Sequence, residues 1–372
     1  MENSTTIYTF HDTHRRWTIH RGDVQHVLPT LSSNLYDGVV TDAPYGIDFM
    51  GHGWDSEVPP VAVWQAILRA CKPGAYLLAF GGPKTFHRLA CNLEDAGWHH
   101  RDTLSWLYAE GFPKGLNFGK AIPPDNVTTW DGYSTALCPA WEPILLVQKP
   151  CRDNFVVNAL RFGCGGLNIK GCRIGSYGGT KRSHQAPYPR QQDGREDRQH
   201  WGRTGHHAEP INQGRWAKNV IIDEAVAAQV DLQSGKSRSQ SAVYRHIKSD
   251  IGNGITLRRW ASRFDTSGGY DDEGGASRFF YIAKANRKER KGNDHPTVKP
   301  MTLCEYLARL IVPPERKTPR RLIVPFSGSG SEMLGALMAG WDHVTGIERE
   351  PHYVEIARRR LADFAKGSAM PA

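Results

Sequence analysis

Hydrophobic and polar positions follow two regimes along this chain. From residue 17 to 150, and again from 295 onward, short continuous apolar runs are separated by segments of helical spacing. The runs 37–41, 75–80, 143–147, 321–324 and 343–348 are apolar without strict alternation, which predicts strands buried on both faces. Trp17–Ile19 and Thr103–Leu107 are shorter strand candidates. Between them, 61–71 and 85–96 have helical spacing, and 23–31 is a further helix candidate. Behind Pro300, residues Leu303, Tyr306, Leu307, Leu310 and Ile311 fall at i, i+3, i+4, i+7 and i+8, one face of an amphipathic helix. Helices are also predicted over about 332–338 and from Pro351, where Val354, Ala357, Leu361 and Phe364 share a face. Strands that alternate with helices in this way predict an α/β fold, a parallel sheet covered by helices on both sides.

The pattern breaks between 151 and 294. Residues 175–214 are rich in Gly, Gln, His and Arg with almost no aliphatics, and are expected to be mobile when unbound. The stretch 215–282 mixes short apolar pieces with the pairs Arg215-Trp216 and Arg259-Trp260. No repeat of 20–50 residues is visible, which argues against a solenoid.

Charge sharpens this division. The formal net charge is +9, and residues 151–300 hold 26 Lys+Arg against 15 Asp+Glu while the remainder holds 21 against 23. A basic segment on a near-neutral body is the electrostatic footprint of nucleic-acid binding, although a solvated basic loop gives the same count. No apolar run approaches the ~18 residues of a membrane span and the start is polar, so the expectation is a cytoplasmic protein with no membrane partner. Seven cysteines, an odd number without a secretion signal, predict reduced thiols. Cys164 and Cys172 lack a CxxC partner arrangement, so no structural metal is expected.

Two stretches carry candidate chemistry. Asp42-Ala43-Pro44-Tyr45 follows the first buried strand, at the carboxyl end where open α/β sheets bind ligands. Pro44 keeps Ala43 extended and leaves its carbonyl free. The Asp42 carboxylate and that carbonyl are two acceptors suited to the two N–H groups of an exocyclic amine, and Tyr45 offers a face for a planar ring. The same tetrapeptide would also suit a strand that merely ends in a proline turn. The second stretch, Phe326-Ser327-Gly328-Ser329-Gly330, runs from a strand into a helix, bringing backbone N–H groups close to a ligand. It lacks the Gly-Lys-Ser/Thr ending of a P-loop and the full G-x-G-x-x-G spacing, and a tight strand-to-helix connection would read alike. Glu348 ends the next strand 20 residues after Gly328, where a ribose-binding acid belongs.

Together these residues resemble the β-class amino-group DNA methyltransferases, which methylate adenine N6 or cytosine N4. Asp42-Ala43-Pro44-Tyr45 resembles their Asp-Pro-Pro-Tyr motif, 326–330 resembles their S-adenosylmethionine loop, and His295-Pro296-Thr297-Val298-Lys299-Pro300 resembles the segment that precedes it. The resemblance covers roughly 17–150 and 277–365. It implies a Rossmann-like S-adenosylmethionine-dependent methyltransferase sheet with circularly permuted motif order. The catalytic half would span 7–150, an inserted basic target-recognition region 151–294, and the cofactor half 295–366. By the same resemblance, Asp42 and the Ala43 carbonyl hold the target amine, with Pro44 between them and Tyr45 stacking on the base. Phe326, Ser327, Gly328, Ser329, Gly330 and Glu348 line the methyl donor, and Thr297 and Lys299 lie near its methionine end. Double-stranded DNA is the implied partner, and a homodimer is compatible with it. Asp at the first motif position favours adenine over cytosine, where Ser is commoner. A DNA-binding homologue that has lost catalysis, and methylation of RNA or of a protein glutamine, are the rivals. Two departures stand out: Ala43 replaces a Pro, and Val324 stands where the family has an acid that helps to hold the donor's amino end.

Overall fold

The computed structural model describes residues 6–14, 16–47, 55–109, 111, 115–123, 127–175, 214–238, 243–245, 265–267, 272–284 and 292–365. The described chain forms two compact units. The body comprises Met1–Cys172, Ala217–Ala228 and Phe280–Ala372, and the smaller unit Arg173–Trp216 and Gln229–Phe279.

In chain order, β1 (Tyr8–His11) and β2 (Trp17–Arg21) lead to α1 (Val24–Val27), β3 (Tyr36–Thr41), α2 (Val61–Ala70) and β4 (Cys71–Phe80). Next come α3 (Phe86–Asp95), β5 (His99–Leu107), the one-turn helices α4 (Phe118–Ala121) and α5 (Val127–Trp130), β6 (Trp141–Gln148) and α6 (Phe155–Phe162). After β7 (Val220–Asp223) and α7 (Glu224–Ser234), the chain makes the short strands β8 (Ser237–Arg238), β9 (Val243–Arg245), β10 (Asp265–Ser267) and β11 (Glu273–Gly274). It closes with β12 (Tyr281–Ala283), α8 (Met301–Ile311), β13 (Arg321–Val324), α9 (Ser331–Met338), β14 (His343–Glu348) and α10 (Pro351–Ala365).

Among the described residues ten strands form one sheet in the order β1-β2-β14-β13-β3-β4-β6-β5-β7-β12. From β2 through β4 every neighbouring pair is parallel, and β5, β7 and β12 are parallel among themselves. β6 is antiparallel to both β4 and β5. The sheet is therefore mixed, a correction to the all-parallel expectation. The cause lies in the connection between β5 and β6: its described helices α4 and α5 have four residues each, about 6 Å long. Neither can carry the chain back across the sheet, so β6 starts from the edge at which β5 ended.

Burial on both faces explains the unbroken apolar runs. All six residues of β3 are buried. Val40, Leu78, Leu322 and Val344 pack in one cluster with Leu303, Leu307, Leu310, Leu334 and Val354 of α8, α9 and α10. Their chain neighbours Val39, Leu77 and Ile323 pack on the opposite face with Trp64, Ile67, Leu89 and Leu93 of α2 and α3. At the amino end of β3 the buried Asp37 accepts from Lys72 Nζ (2.7 Å), Arg316 Nη2 (2.6 Å) and the Arg321 amide (2.8 Å), which compensates a charge that would be costly alone.

Some boundaries differ from expectation. The helix expected over 23–31 is a single turn, α1, followed by a 3-10 turn at Leu28–Thr30, because Pro29 lacks an amide hydrogen. Of the elements numbered between 151 and 294, α6, β7 and β12 belong to the body. Val220-Ile221-Ile222 is an apolar run just long enough to pair with β5. In the smaller unit, β8 pairs with β11 and β9 with β10, and Arg215 meets Asp272 at 2.5 Å. The expected mobile stretch 175–214, apart from its two ends, and the glycine-rich loop after Ile47 through Trp54 lie outside the described residues.

Candidate active site

Crossovers leave β13 and β3 in opposite directions. From β13 the chain passes through α9 to β14 on one side, and from β3 it passes through α2 to β4 on the other. Diverging crossovers open a crevice at the carboxyl ends of the two strands, the usual ligand position in such sheets. Asp42 follows β3 there, Phe326 follows β13, and Glu348 ends β14. Because β6 is reversed, its second residue, Glu142, reaches the same edge.

Three polar groups converge beside Asp42. Lys299 Nζ lies 3.0 Å from Asp42 Oδ2, 3.1 Å from Glu142 Oε2 and 2.9 Å from the Tyr45 hydroxyl oxygen. That hydroxyl is 2.8 Å from Asp42 Oδ1 and 3.0 Å from Glu142 Oε2, and donates its one proton to either. Aromatic rings flank the ammonium, with the Tyr45 and Phe80 centroids at 5.2 and 5.0 Å. Burial is the largest influence on Lys299 and opposes its charge, but the Asp42 and Glu142 carboxylates outweigh it, and its pKa is raised. Burial, then the same two carboxylates, pushes the Tyr45 phenol well above its ordinary value, so it stays a donor.

The backbone around Tyr45 is fixed from both sides. Asp55 Oδ1 accepts from the amides of Tyr45 (2.6 Å) and Gly46 (3.1 Å), and Thr85 donates its hydroxyl to the Tyr45 carbonyl. Ala43 is buried against the α2 face of the sheet, and no described residue donates to its carbonyl. Pro44 lines the cavity wall.

The glycine-rich turn is latched to β14. Ser327 donates its amide to the Ile347 carbonyl (2.9 Å) and Gly328 donates its amide to Glu348 Oε2 (2.8 Å). The other Glu348 oxygen accepts from the Glu350 amide at 2.8 Å. Burial raises the Glu348 pKa, and these two amides oppose it. Gly328 has φ +47°, and a Cβ there would stand 2.8 Å from His295 Nε2. Gly330 has φ +85° and precedes α9, where a Cβ would meet Ala357 at 3.1 Å. Both conformations and both spaces call for glycine. The Ser329 hydroxyl accepts from Asn293 Nδ2 (2.9 Å) and Arg360 (3.2 Å). His295 Nδ1 accepts from the Thr297 amide (3.3 Å), and its ring meets Tyr353 edge-on at 4.4 Å.

One cavity of about 730 Å³ joins these parts, within the usual range for small-ligand sites. Asp42, Ala43, Pro44, Tyr45, Thr297, Lys299, Phe326, Ser327, Gly328, Ser329 and Glu348 all line it. Gly330 does not; it acts one layer out, in the packing of α9 on α10. Lys299 stands beside Asp42. The Ser327 and Ser329 hydroxyls are spent on holding the turn.

Sequence reasoning missed Glu142, which only strand reversal brings to the site, and Glu332. Glu332 is 4% exposed in the first turn of α9, and burial, then the nearby Asp42, raises its pKa to about 7. An acid directly after the glycine turn, in an otherwise apolar helix, was the available signal. Among the described residues no cluster of three or more His, Cys, Asp or Glu side chains could hold a metal ion, and no helix is long and apolar enough to cross a membrane.

The profile of the N6/N4 DNA methylase family matches residues 36–359. The chain belongs to this family. The Type II methyltransferase M.HindIII of Haemophilus influenzae is 25% identical over 178 residues, which cover 36% of this chain and 58% of that enzyme. The chain thus spans little more than half the length of that relative. The solved PvuII DNA methyltransferase, described as cytosine-N4-specific, shares 11% identity over 93% of this chain and 86% of its own, with a TM-score of 0.44. The DNA modification methylase TTHA0409 of Thermus thermophilus, solved with S-adenosyl-L-methionine, shares 15% over 92% and 94%, with a TM-score of 0.40.

In this chain the Glu332 carboxyl carries a pH signature. Its folded pKa lies above that of an unfolded carboxyl, so the stability it contributes is complete below the unfolded value and is lost as pH rises through about 7. Glu332→Gln removes that loss. Relative to the parent, the donor-free variant is expected to gain about 3 kcal/mol on going from pH 4.5 to pH 8. Denaturant unfolding at the two pH values measures it; an equal difference at both would show that Glu332 titrates normally.

Proposed function

We propose that this chain transfers a methyl group from S-adenosylmethionine to the exocyclic amine of a base extruded from double-stranded DNA, with adenine N6 as the favoured target. The observation that carries this reading is that Asp42 and the glycine turn with Glu348 face a single cavity. The residues suit the donor. The glycine turn leaves open a space that a Cβ at Gly328 would fill, and Glu348 offers carboxylate oxygens with lone pairs beyond the two already taken. Phe326 and Tyr353 add apolar and aromatic wall.

When bound, S-adenosylmethionine supplies a methyl group on a positively charged sulfur that leaves as a neutral thioether. The chain's own contribution lies at the amine. Its nitrogen is a poor nucleophile because its lone pair is delocalised into the ring. Asp42 and the Ala43 carbonyl accept hydrogen bonds from its two N–H groups, which concentrates charge on nitrogen and favours the tetrahedral geometry of attack, and the methylated nitrogen then loses one of these protons to solvent. Tyr45 and Lys299 each occupy one position on Asp42 and hold the carboxylate in place. Each carboxylate oxygen keeps room for a second donor. Tyr45, pinned by its hydroxyl, presents a fixed ring edge and face to the base. A base within the duplex could not reach this crevice, so the target must flip out. The basic stretch of 151–294 is assigned to target recognition through phosphate contacts.

Paired substitutions separate the two halves of the site. Asp42→Asn, which keeps shape but loses acceptor capacity, is expected to lower kcat about 10²- to 10³-fold while donor affinity stays within a few fold. Gly328→Val is expected to abolish donor binding. Calorimetry and a methylation assay on the two variants score both; full activity in Asp42→Asn would remove the acid from the chemistry. DNA binding should weaken steeply with salt, the log–log slope being about −0.9 per phosphate neutralised. Deleting 175–214 should flatten that slope, and an unchanged slope would make the stretch a bystander.

The target base is decided by digesting methylated DNA to nucleosides. The N6-methyl derivative of deoxyadenosine is the expected product. The N4-methyl derivative of deoxycytidine alone would transfer the assignment to the other branch of the family.

A further inference from the structure

Glu332 is a buried acid for which the described residues supply no cation. Among them no Lys, Arg or His forms an ion pair with it, and its one side-chain hydrogen-bond partner is the Cys304 thiol at 4.0 Å. The nearest cations are committed elsewhere. Lys299 is held by Asp42 and Glu142, and the Arg360 guanidinium donates to the Ser329 carbonyl (2.7 Å) and the Ser331 hydroxyl (3.1 Å). Yet Glu332 lines the cavity, two residues beyond Gly330. An uncompensated buried carboxylate is costly, and burial accordingly holds this one near half-protonation at neutral pH. It also lies close enough to Asp42 for the two charges to repel. A cation arriving in the cavity would relieve both penalties.

The end of β13 lacks the corresponding charge. Val324, where the resemblance leads one to expect an acid for the donor's amino end, is fully buried in the core beneath α8 and α9. We infer that the Glu332 carboxylate receives the α-ammonium group of S-adenosylmethionine, so that the acid missing from the end of β13 is replaced from the first turn of α9. The inference rests on the reading that this cavity binds the methyl donor. It makes Glu332 a binding residue that fixes the methionine end, and thereby the sulfonium, near Asp42.

The test is calorimetric and needs no turnover. Binding of S-adenosylmethionine, S-adenosylhomocysteine and 5′-methylthioadenosine is compared in the full chain and in Glu332→Gln. The first two carry the ammonium, only the first carries the sulfonium charge, and the third carries neither. Glu332→Gln is expected to weaken S-adenosylmethionine and S-adenosylhomocysteine alike, by at least about tenfold, as for loss of a charge-assisted hydrogen bond. 5′-Methylthioadenosine should bind within about twofold of the parent. Parent affinity for S-adenosylhomocysteine should also rise about tenfold from pH 5.5 to pH 7, as Glu332 ionises, with proton release visible as buffer-dependent heat. The variant should show neither effect.

Loss confined to S-adenosylmethionine would assign Glu332 to the sulfonium and overturn the inference. So would equal loss for all three ligands, which marks a structural role, or no loss for any. If parental affinity for all three persists in Glu332→Gln while Gly328→Val loses them, the donor cavity stands and only the role of Glu332 falls. If the parent binds none of the three, the cavity assignment itself fails.

Discussion

The Lys299 ammonium, held between the carboxylates of Asp42 and Glu142 and flanked by the rings of Tyr45 and Phe80, is the contact on which the site depends. It joins residues far apart in the chain, from the ends of β3, β4 and β6 and the segment before α8. A buried ion cluster of this kind contributes little net stability, because desolvation offsets most of the attraction, but removing one partner leaves a charge uncompensated. Its consequence is positional. Asp42, Tyr45 and Glu142 can adopt no arrangement that leaves Lys299 unpaired without incurring that cost.

The cluster can exist only because the sheet is mixed. Parallel strands bring their carboxyl ends to one edge, which delivers Asp42, Phe326 and Glu348. A residue near the amino end of a parallel strand would lie at the far edge, about 20 Å away for a strand of some six residues. The reversed β6 is the exception that carries Glu142 to the reacting side. Divergence of the β13 and β3 crossovers then opens the crevice between the cluster and the glycine turn, and neither α9 nor α2 covers it.

Charge balance across the cavity follows from these placements. At the Asp42 end one ammonium, that of Lys299, lies between two carboxylates. The α9 end holds Glu332 without a cation among the described residues, and Glu348 is satisfied by two backbone amides. The chain itself supplies a cation at the Asp42 end, and the described residues pair none with Glu332 at the α9 end. This asymmetry is what is expected of a cavity that takes a cationic ligand on one side and a neutral amine on the other.

Local sequence determined the elements with period or punctuation strong enough to act alone. The buried runs at 37–41, 75–80 and 321–324, the amphipathic face from Leu303 to Ile311, and the glycine turn before α9 were legible because each depends on neighbours within a few residues. So were Asp42 and Glu348, since a residue just past a buried strand lies at the sheet's edge whatever surrounds it. Tertiary structure alone decided the direction of β6, since a strand buried on both faces reads the same in either sense. It decided that Val220–Asp223 and Tyr281–Ala283 join the sheet, because runs of three or four residues gain their stability from pairing and not from pattern. It also placed Lys299 on Asp42 and left Glu332 without a counter-ion among the described residues. Those outcomes depend on charges brought together through space, and no local pattern in the chain encodes which buried charge will find its partner.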